Sequence, residues 1–527
     1  MRVLYLPKCD QLSSFNMVKY KWVNGGEKMI TRRKSIQSEV IMMTMEDLVP
    51  EGSLYRKIEE KIDFTFIYEA VEGLYCEDNG RPSIDPVVLF KLVFIQTMDG
   101  IKSMRKTCEK IKTDAEYRWF LGIPFGEETP HFSTLSKNYE RRFRDSDIFE
   151  KIFINIVNQA DQYGLVGKEE LFTDSTHKKA NANKLKFHDE IVKKAKNRKL
   201  ELEAEINEER KRLGKKEFAY SDEESEKHIK VSTTDPESGY YHRDEKEKGF
   251  MYLDHRTVDG KANIIVDSHI TKGNVHDSKP YLERLKYIKA TFDIKPSSCA
   301  LDSGYDNMAI KRYFDEEGIF GVIGYRRYGQ SETEIRKWQF KYLKELDAYV
   351  CPKTGIVLEY RNLSSLGYKE YYNSKACSEC PYLSQCCKKS KHRKIRRHLH
   401  EEINERARFR RLSPEGKELA KKRRETIERS FADSKCNHGY RYAMYRGLIK
   451  NQHYSWLACA AQNMKNIAIK TSKSFSNGSN ASFYFGGKFH RFLQSMFFQK
   501  QNPYFLFRNR GLSTVCGDYY HFFISIP

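Results

Sequence analysis

The first clear pattern of apolar and polar positions covers residues 53–143 and predicts a series of short helices. Asp85 is a typical N-cap residue and Pro86 a typical first-turn residue, and together they open the apolar segment VVLFKLVFIQ. Asp114 is the predicted cap of a later helix, which Gly122 is predicted to end. The N-terminal part of the chain is therefore predicted to be helical.

The last helix of this series is strongly basic and lies in the segment HFSTLSKNYERRFR. Ser133 or Thr134 is its predicted N-cap, and Lys137 and Arg141 follow along the helix. Short helices that end in a basic one resemble a helix-turn-helix, whose last helix enters the DNA major groove. Ser133, Lys137 and Arg141 are therefore candidate DNA-binding residues. The alternative is a small helical bundle whose basic face is only solvated.

Residues 165–325 change to strands with intervening helices. The segments EELFTDSTH, FMYLDHRTV and ANIIVDSHI are predicted strands, and the tripeptide DGK between the last two is a hairpin signal. A helix, a strand that ends at Asp302, another helix and the strand IFGVIGY follow. This order predicts an α/β fold whose mixed sheet carries Asp174 on its first strand.

Two segments interrupt this order. Residues 184–230 are rich in Lys and Glu with sparse Ile and Leu, which predicts a charged helical excursion from the surface. Residues 326–415 carry a cluster of cysteines, and a long helix resumes near Gly416. The predicted divisions begin with a poorly defined leader (1–45), a helical N-terminal domain (46–150) and the first part of the α/β core (165–325). A cysteine-rich basic insertion (326–415), the last part of the core (416–470) and a tail rich in aromatics, Gly and Ser (471–527) follow.

The chain carries 93 Lys and Arg residues against 72 Asp and Glu residues, a net charge of +21. Such an excess favours a polyanionic partner, because phosphates neutralised by cations release their condensed counterions. Charge alone does not distinguish DNA, RNA and a membrane surface. The apolar run from Val87 to Ile95 contains Lys91 and falls far short of the roughly 20 residues of a bilayer span. No secretory signal is evident, so the expected compartment is the cytoplasm.

Three acidic residues stand out by their position. Asp174 lies on the first predicted strand, Asp302 at the end of the fourth, and Glu428 on the helix after the fifth. Because strand ends in an α/β sheet meet at one edge, the three carboxylates are expected to converge. Divalent cations that prefer oxygen ligands, such as Mg²⁺ or Mn²⁺, remove the repulsion among them. Two such ions about 3.5–4 Å apart are the usual arrangement for displacement at phosphorus. For a single strand-end Asp, capping or solvation is the simpler interpretation.

The segment RETIERSFADSK places three charged residues on one helix face. Arg424 and Glu428 are four residues apart, and Lys435 lies two turns beyond Glu428. The simpler interpretation is a surface ion pair between Arg424 and Glu428. The alternative is that Glu428 holds a metal ion while the flanking cations contact backbone phosphates.

This spacing resembles the Y-x-x-R-x-x-x-E-x-x-x-x-x-x-K signature of DDE transposases from bacterial insertion sequences. The segments FTDSTHKKANANK and ALDSGYDN are similar to the motifs that hold the first and second Asp of those enzymes, and TKGNVHDS is similar to their G-N-x-H-D-S element. The predicted strand order resembles their ribonuclease H-like core, and residues 54–143 resemble their helical N-terminal domain. Together these motifs cover roughly residues 45–470.

The resemblance implies roles for particular residues. Asp174, Asp302 and Glu428 become the triad that binds Mg²⁺ or Mn²⁺, and Arg424 and Lys435 lie near the DNA backbone. The chain departs from the signature in one respect: its Tyr position is occupied by Lys421. A lysine there is able to meet a phosphate but not to stack on a base, so Lys421 is a further candidate DNA-binding residue.

The activity implied by the resemblance is that of a transposase, which binds the terminal inverted repeats of its element, cleaves DNA and joins the freed 3′-hydroxyl to target DNA. Because two ends must be paired, at least a homodimer is expected in the reaction, in association with the bacterial nucleoid. The alternatives are a metal-dependent nuclease without strand transfer and a catalytically dead DNA-binding protein derived from an element.

The cysteine cluster contains one C-x-x-C pair, Cys377 and Cys380, with Cys386 and Cys387 shortly after it and Cys351 upstream. Four thiolates suit a closed tetrahedral Zn²⁺ site, which predicts Cys351, Cys377, Cys380 and Cys386 as its ligands. A second C-x-x-C pair is missing, so unligated buried thiols or a disulfide are the alternatives.

Overall fold

Short helices precede the first strand. The computed structural model describes residues 42–76, 83–194, 200–220, 225–242, 248–325, 335–387 and 390–474, so most of the predicted leader and of the predicted tail lies outside the described residues. The helices before the sheet are α1 (Met45–Leu48), α2 (Leu54–Lys61), α3 (Phe66–Val71), α4 (Pro86–Met98), α5 (Met104–Ile111), α6 (Ala115–Leu121), α7 (Ser133–Asn138) and α8 (Ile148–Gln162). A π-helical turn, Tyr139–Phe143, follows α7.

Local capping explains where several of these helices begin and end. The Asp85 side chain accepts a hydrogen bond from the backbone N–H of Val87, so the predicted start of α4 is confirmed. The Asp114 side chain caps α6 in the same way, and Gly122 ends α6 with a left-handed φ of 69°. The predicted cap of α7 is wrong. Phe132 occupies the N-cap position and makes no side-chain cap. The Ser133 hydroxyl is hydrogen-bonded to His131 Nδ1 at 2.8 Å.

The main sheet is mixed. Its elements and the segments between them are β1 (Glu170–Lys179), β2 (Phe187–Lys194), α9 (Leu200–Arg212), β3 (Ser225–Ser232), β4 (Gly239–Tyr241), β5 (Gly249–Asp259), β6 (Ile265–Lys272), α10 (Ser278–Phe292), β7 (Ser298–Leu301), α11 (Met308–Glu316) and β8 (Phe320–Ile323). The strand order is β4-β5-β1-β7-β8, and β6 also pairs with β5. β1 runs antiparallel to β5 and parallel to β7, and β8 runs parallel to β7. The predicted hairpin is confirmed as the antiparallel pair β5–β6.

The charged excursion at residues 184–230 is helical only in part. Among the described residues of this segment, α9 is the one helix, whereas β2 and β3 pair with each other as a separate two-stranded ribbon. Their β-branched residues, among them Ile191 and Val231, favour extended backbone, and pairing satisfies the backbone hydrogen bonds of both strands. The prediction of a charged helical excursion is therefore confirmed at α9 and wrong at β2 and β3, where β-branched residues favour strands.

A second sheet with its own small core forms between β8 and the last helices. Its strands and helices are β9 (Lys341–Leu343), β10 (Ala348–Val350), β11 (Val357–Leu363), β12 (Tyr368–Tyr372), α12 (Ser374–Ser378), α13 (Leu383–Cys386) and β13 (Ile395–His398). The strand order is β13-β12-β11-β10-β9. Aromatic and aliphatic side chains such as Phe340, Leu358 and Tyr371 fill this core together with Cys377 and Cys386.

The last helices return to the main sheet. They are α14 (Glu401–Leu412), α15 (Pro414–Arg423), α16 (Arg429–Asn437) and α17 (Leu448–Ser474), and a π-helical turn, Arg424–Glu428, joins α15 to α16. One continuous hydrophobic cluster contains Phe94 of α4, Phe172 of β1 and Met464 of α17. The N-terminal helices therefore share a core with the sheet. No helix in the described ranges combines the length and apolarity that a membrane crossing requires.

Candidate active site

Asp174 and Asp302 lie side by side on the neighbouring parallel strands β1 and β7, at the point where the pairing of these two strands ends. Thr173 of β1 is level with Leu301 of β7, so the two aspartates follow at the same height. The Asp174 carboxylate accepts a hydrogen bond from the Ser175 backbone N–H at 2.8 Å. The strand register thus brings together two of the three carboxylates that the sequence singled out.

Burial raises the pKa of Asp174 to about 6. An adjacent guanidinium, Arg423, and the Ser175 N–H oppose this rise, while the nearby carboxylates Asp302 and Asp277 add to it. Burial is thus the main cause of the raised pKa of Asp174, and the two neighbouring carboxylates contribute less because like charges disfavour ionisation. A divalent cation at the edge would lower that pKa again.

Asp277 is a further carboxylate of this group that the sequence analysis did not name as a site residue. Its carboxylate accepts a hydrogen bond from the Ser175 hydroxyl at 2.7 Å. Tyr305 lies close by and is fully buried, and its pKa is raised chiefly by burial and further by Asp174, Asp277 and Asp302. The segment TKGNVHDS, which carries Asp277, was the signal that could have identified it.

Arg423, rather than Arg424, is the arginine that meets the aspartates. Its guanidinium forms an ion pair with Asp174 at 2.8 Å, and its side chain is almost fully buried. Arg424 is exposed. Arg423 and Ile427 lie on the buried face of this helical segment, whereas Arg424 and Glu428 lie on its exposed face.

Glu428 is the third carboxylate of the predicted triad. It is exposed at the end of the π-helical turn, and within the described residues it forms no ion pair with Arg424. In the same part of the chain, no three His, Cys, Asp or Glu side chains are already arranged to hold a metal ion. The triad and its cations therefore stay a prediction.

Lys435 points back into the sheet. Its ammonium donates a hydrogen bond to the hydroxyl of Thr176, two residues along β1 from Asp174 and thus on the same face of the strand. Burial lowers the pKa of Lys435. Lys421 is exposed and lies 3.9 Å from Glu425 in an i, i+4 ion pair. Of the cations predicted on this helix, Lys435 is the one that contacts the strand of Asp174.

A buried polar network fixes α16 against the sheet. Arg256 of β5 donates hydrogen bonds to the hydroxyls of Ser434 at 2.8 Å and Ser430 at 3.2 Å. Its guanidinium also pairs with Asp254 at 2.9 Å, and both side chains are completely buried. Gln462 of α17 accepts from Ser434 and closes the network. This arrangement holds the helix that carries Lys435 at a defined position over β1.

The basic helix near the N-terminus packs against the core through one face. Tyr139 contacts His453 of α17, with 3.0 Å between the hydroxyl and Nδ1. Lys137 and Arg141 are exposed, whereas Glu140 between them pairs with Lys450 at 2.6 Å. The two candidate DNA-binding cations thus face solvent, and the intervening charge is neutralised within the chain.

The four predicted zinc ligands line one small cavity of about 20 Å³ in the second sheet's core: Cys351, Cys377, Cys380 and Cys386. Ile335, Phe340 and Leu358 line other parts of its wall. All cysteines in the described ranges are free thiols. The four cysteines predicted to act together therefore lie together in the structure, but no metal ion bound to them is shown.

Two known protein families match parts of the chain. The family described as Transposase domain (DUF772) matches residues 43–141, and the family described as Transposase DDE domain matches residues 350–468. No curated protein matches the chain. Asp174 and Asp302 lie between the two matched ranges, and Glu428 lies within the second.

Two transposase families in this order along one chain define the class of protein as a transposase. Within that class, the two matches support a DDE-type transposase of an insertion element.

Proposed function

We propose that this transposase binds the terminal inverted repeats of its element, cleaves them in the presence of Mg²⁺ or Mn²⁺, and joins the freed 3′-hydroxyl to target DNA. The observation that carries the proposal is the level placement of Asp174, within β1, and Asp302, directly after the end of the neighbouring parallel strand β7. Antiparallel strands β6, β5 and β1 followed by parallel β7 and β8 support a ribonuclease H-like core.

The chemistry of the donor set fits a divalent cation. Carboxylate oxygens are the ligands that Mg²⁺ and Mn²⁺ prefer, and Asp174 and Asp302 would supply them, with Glu428 as the third. Such a cation supplies an acidified water and a stabilised phosphoryl charge when it is bound. In the state described, Arg423 balances the charge of Asp174, so the guanidinium must share that carboxylate or release it when a cation enters.

The cations around this edge divide into two groups in the proposal. Lys435 holds α16 on β1 through Thr176 and adds positive charge beside the scissile phosphate. Arg424 and Lys421 are exposed on the same helical segment and contact the DNA backbone. Lys137 and Arg141 extend the DNA contact to the N-terminal helices, where Ser133 contributes at most a hydroxyl of the first turn.

The experiment that tests the function uses the full-length chain, a duplex carrying one end of its element, a second duplex with a random sequence, and Mg²⁺. We expect cleavage at the end of the repeat and joined products that contain target DNA. Cleavage without joined products would favour the metal-dependent nuclease. Specific binding with no cleavage under Mg²⁺ or Mn²⁺ would favour the element-derived DNA-binding protein.

A salt series tests the backbone contacts. Arg424→Ala and Lys435→Ala are each expected to lower the salt dependence of DNA affinity by about one phosphate contact, because each neutralised phosphate releases about one counterion. The loss should be equal for element ends and random DNA, since phosphates carry no base identity. Affinity is measured across salt concentrations with Ca²⁺ present in place of Mg²⁺.

Lys295→Ala is the matched control, because Lys295 is exposed and precedes β7, at the end of that strand opposite Asp302. Its salt slope should equal that of the wild type. An unchanged slope for both Arg424→Ala and Lys435→Ala would restrict this helix to a structural role.

We further propose that the cavity lined by the four cysteines holds a structural Zn²⁺. The full-length protein, purified without chelator, is expected to contain about one zinc per chain, because four thiolates complete a tetrahedral site. Cys377→Ser and Cys380→Ser should lose the metal and lower the thermal midpoint. Metal content is measured by elemental analysis, with Cys76→Ser, an exposed cysteine outside the cluster, as the control. A wild-type protein without zinc and with four freely titrating thiols would exclude the site.

A further inference from the structure

Asp277 occupies the N-cap position of α10 but does not cap it. Its side chain accepts no hydrogen bond from the backbone of its own helix. Asp85 and Asp114, by contrast, accept such bonds at the starts of α4 and α6. At α10 the neighbouring His276 ring accepts from the Ser278 N–H at 3.4 Å. The Asp277 carboxylate is thus directed to partners outside its helix.

One carboxylate oxygen of Asp277 is tied to the strand of Asp174. Oδ1 accepts from the Ser175 hydroxyl at 2.7 Å, and the Ser175 backbone N–H donates to Asp174 Oδ1 at 2.8 Å. Successive side chains of a strand point to opposite faces. A fixed Ser175 side chain on one face therefore fixes the direction in which Asp174 projects on the other.

The second oxygen of Asp277 packs against the turn that follows Asp302. A Cβ atom built on Gly304 would lie 2.6 Å from Asp277 Oδ2, closer than such atoms approach. Gly304 belongs to the 3₁₀ turn Ser303–Tyr305, directly after Asp302. A side chain on Gly304 would therefore force the Asp277 carboxylate to shift, so Asp277 lies against the segments of both catalytic candidates.

We infer that Asp277 is a positioning residue of the cleavage site, which braces β1 against the turn after β7 and so sets the relative placement of Asp174 and Asp302. This inference rests on the proposed function of those two residues. Its basis is a single side chain in contact with Ser175 on one segment and with Gly304 on the other. Neither contact requires Asp277 to touch the DNA or a cation itself.

The test measures Mn²⁺ affinity by electron paramagnetic resonance and cleavage of an element end, both with the full-length chain. Asp277→Ala is expected to weaken Mn²⁺ affinity about tenfold, because a hydrogen bond to a charged group is lost. Ser175→Ala should have the same effect, and the double variant should lose no more than either single variant, since both remove one shared contact. Asp277→Asn keeps an acceptor for Ser175 and should stay within about threefold of the wild type.

Gly304→Ala provides an independent variant, because its methyl group displaces the Asp277 carboxylate without removing it. It should also weaken Mn²⁺ affinity, with thermal melting used to show that each variant is folded. Wild-type Mn²⁺ affinity and cleavage in Asp277→Ala would overturn the inference. Loss in Asp277→Asn with a normal Ser175→Ala would overturn it as well, in favour of a direct cation ligand. A wild-type protein that binds Mn²⁺ but cleaves no DNA would contradict the proposed function alone.

Discussion

Asp174→Asn and Asp302→Asn are each expected to reduce Mg²⁺-dependent cleavage of an element end by roughly a hundredfold or more, with end binding nearly unchanged. The amide keeps the shape of the side chain but loses the negative charge that attracts a divalent cation. The rate is measured on a labelled end, and binding is measured separately with Ca²⁺.

Asp306→Asn is the matched control for this prediction. Asp306 lies just beyond Asp302 but is paired with Lys311, so its loss should leave cleavage close to the wild-type rate. Glu428→Gln is expected to abolish cleavage as well, although Glu428 is exposed in the state described. Near-normal cleavage in any one of the three active-site variants would remove that residue from the site.

Asp254→Ala is expected to destabilise the folded chain by roughly 3–5 kcal/mol, because it leaves a buried guanidinium without its carboxylate partner. The Arg256 and Asp254 side chains have no exposed surface, and their ion-pair distance is 2.9 Å. Ser268 would lose its acceptor on Asp254 at the same time. The free energy of unfolding is measured by denaturant titration followed by circular dichroism.

Two further variants separate the buried charge from a general loss of packing. Glu425→Ala removes an exposed ion pair with Lys421 and should leave stability nearly unchanged. The double variant Asp254→Ala/Arg256→Met should recover part of the stability, since it leaves no unpaired charge in the core. A loss below about 1 kcal/mol in Asp254→Ala would show that water or a shifted partner satisfies Arg256.

Local sequence was enough to predict the features that depend on neighbouring residues. Asp85 and Asp114 cap helices because a short side chain reaches the N–H groups two or three residues later, wherever the helix packs. The order of strands and helices was likewise readable, and with it the neighbouring positions of Asp174 and Asp302. Strands β2 and β3 of the excursion at residues 184–230 were misassigned because charged residues are compatible with both a solvated helix and a solvated ribbon.

The arrangement of the site depended on contacts between segments far apart in the chain. From the spacing alone, Arg424 was the arginine to expect at the aspartates, but Arg423 lies on the buried face of this helical segment and pairs with Asp174 instead. The N-terminal helices share one core with the sheet, although composition alone suggested a separate domain. Neither result can be predicted from a short segment of sequence, because each depends on how α15, α16 and α17 pack on the sheet.

The sequence by itself determined the helical start, the α/β order, the positive charge, and one aspartate on a strand with another at the end of a later strand, because periodicity, capping and strand order are properties of short segments. Only the tertiary structure decided which cation faces Asp174, that Glu428 stands exposed, and that Asp277 reaches Ser175 and Gly304. Side-chain direction in a site depends on register, helix rotation and close packing, which are set when distant segments meet.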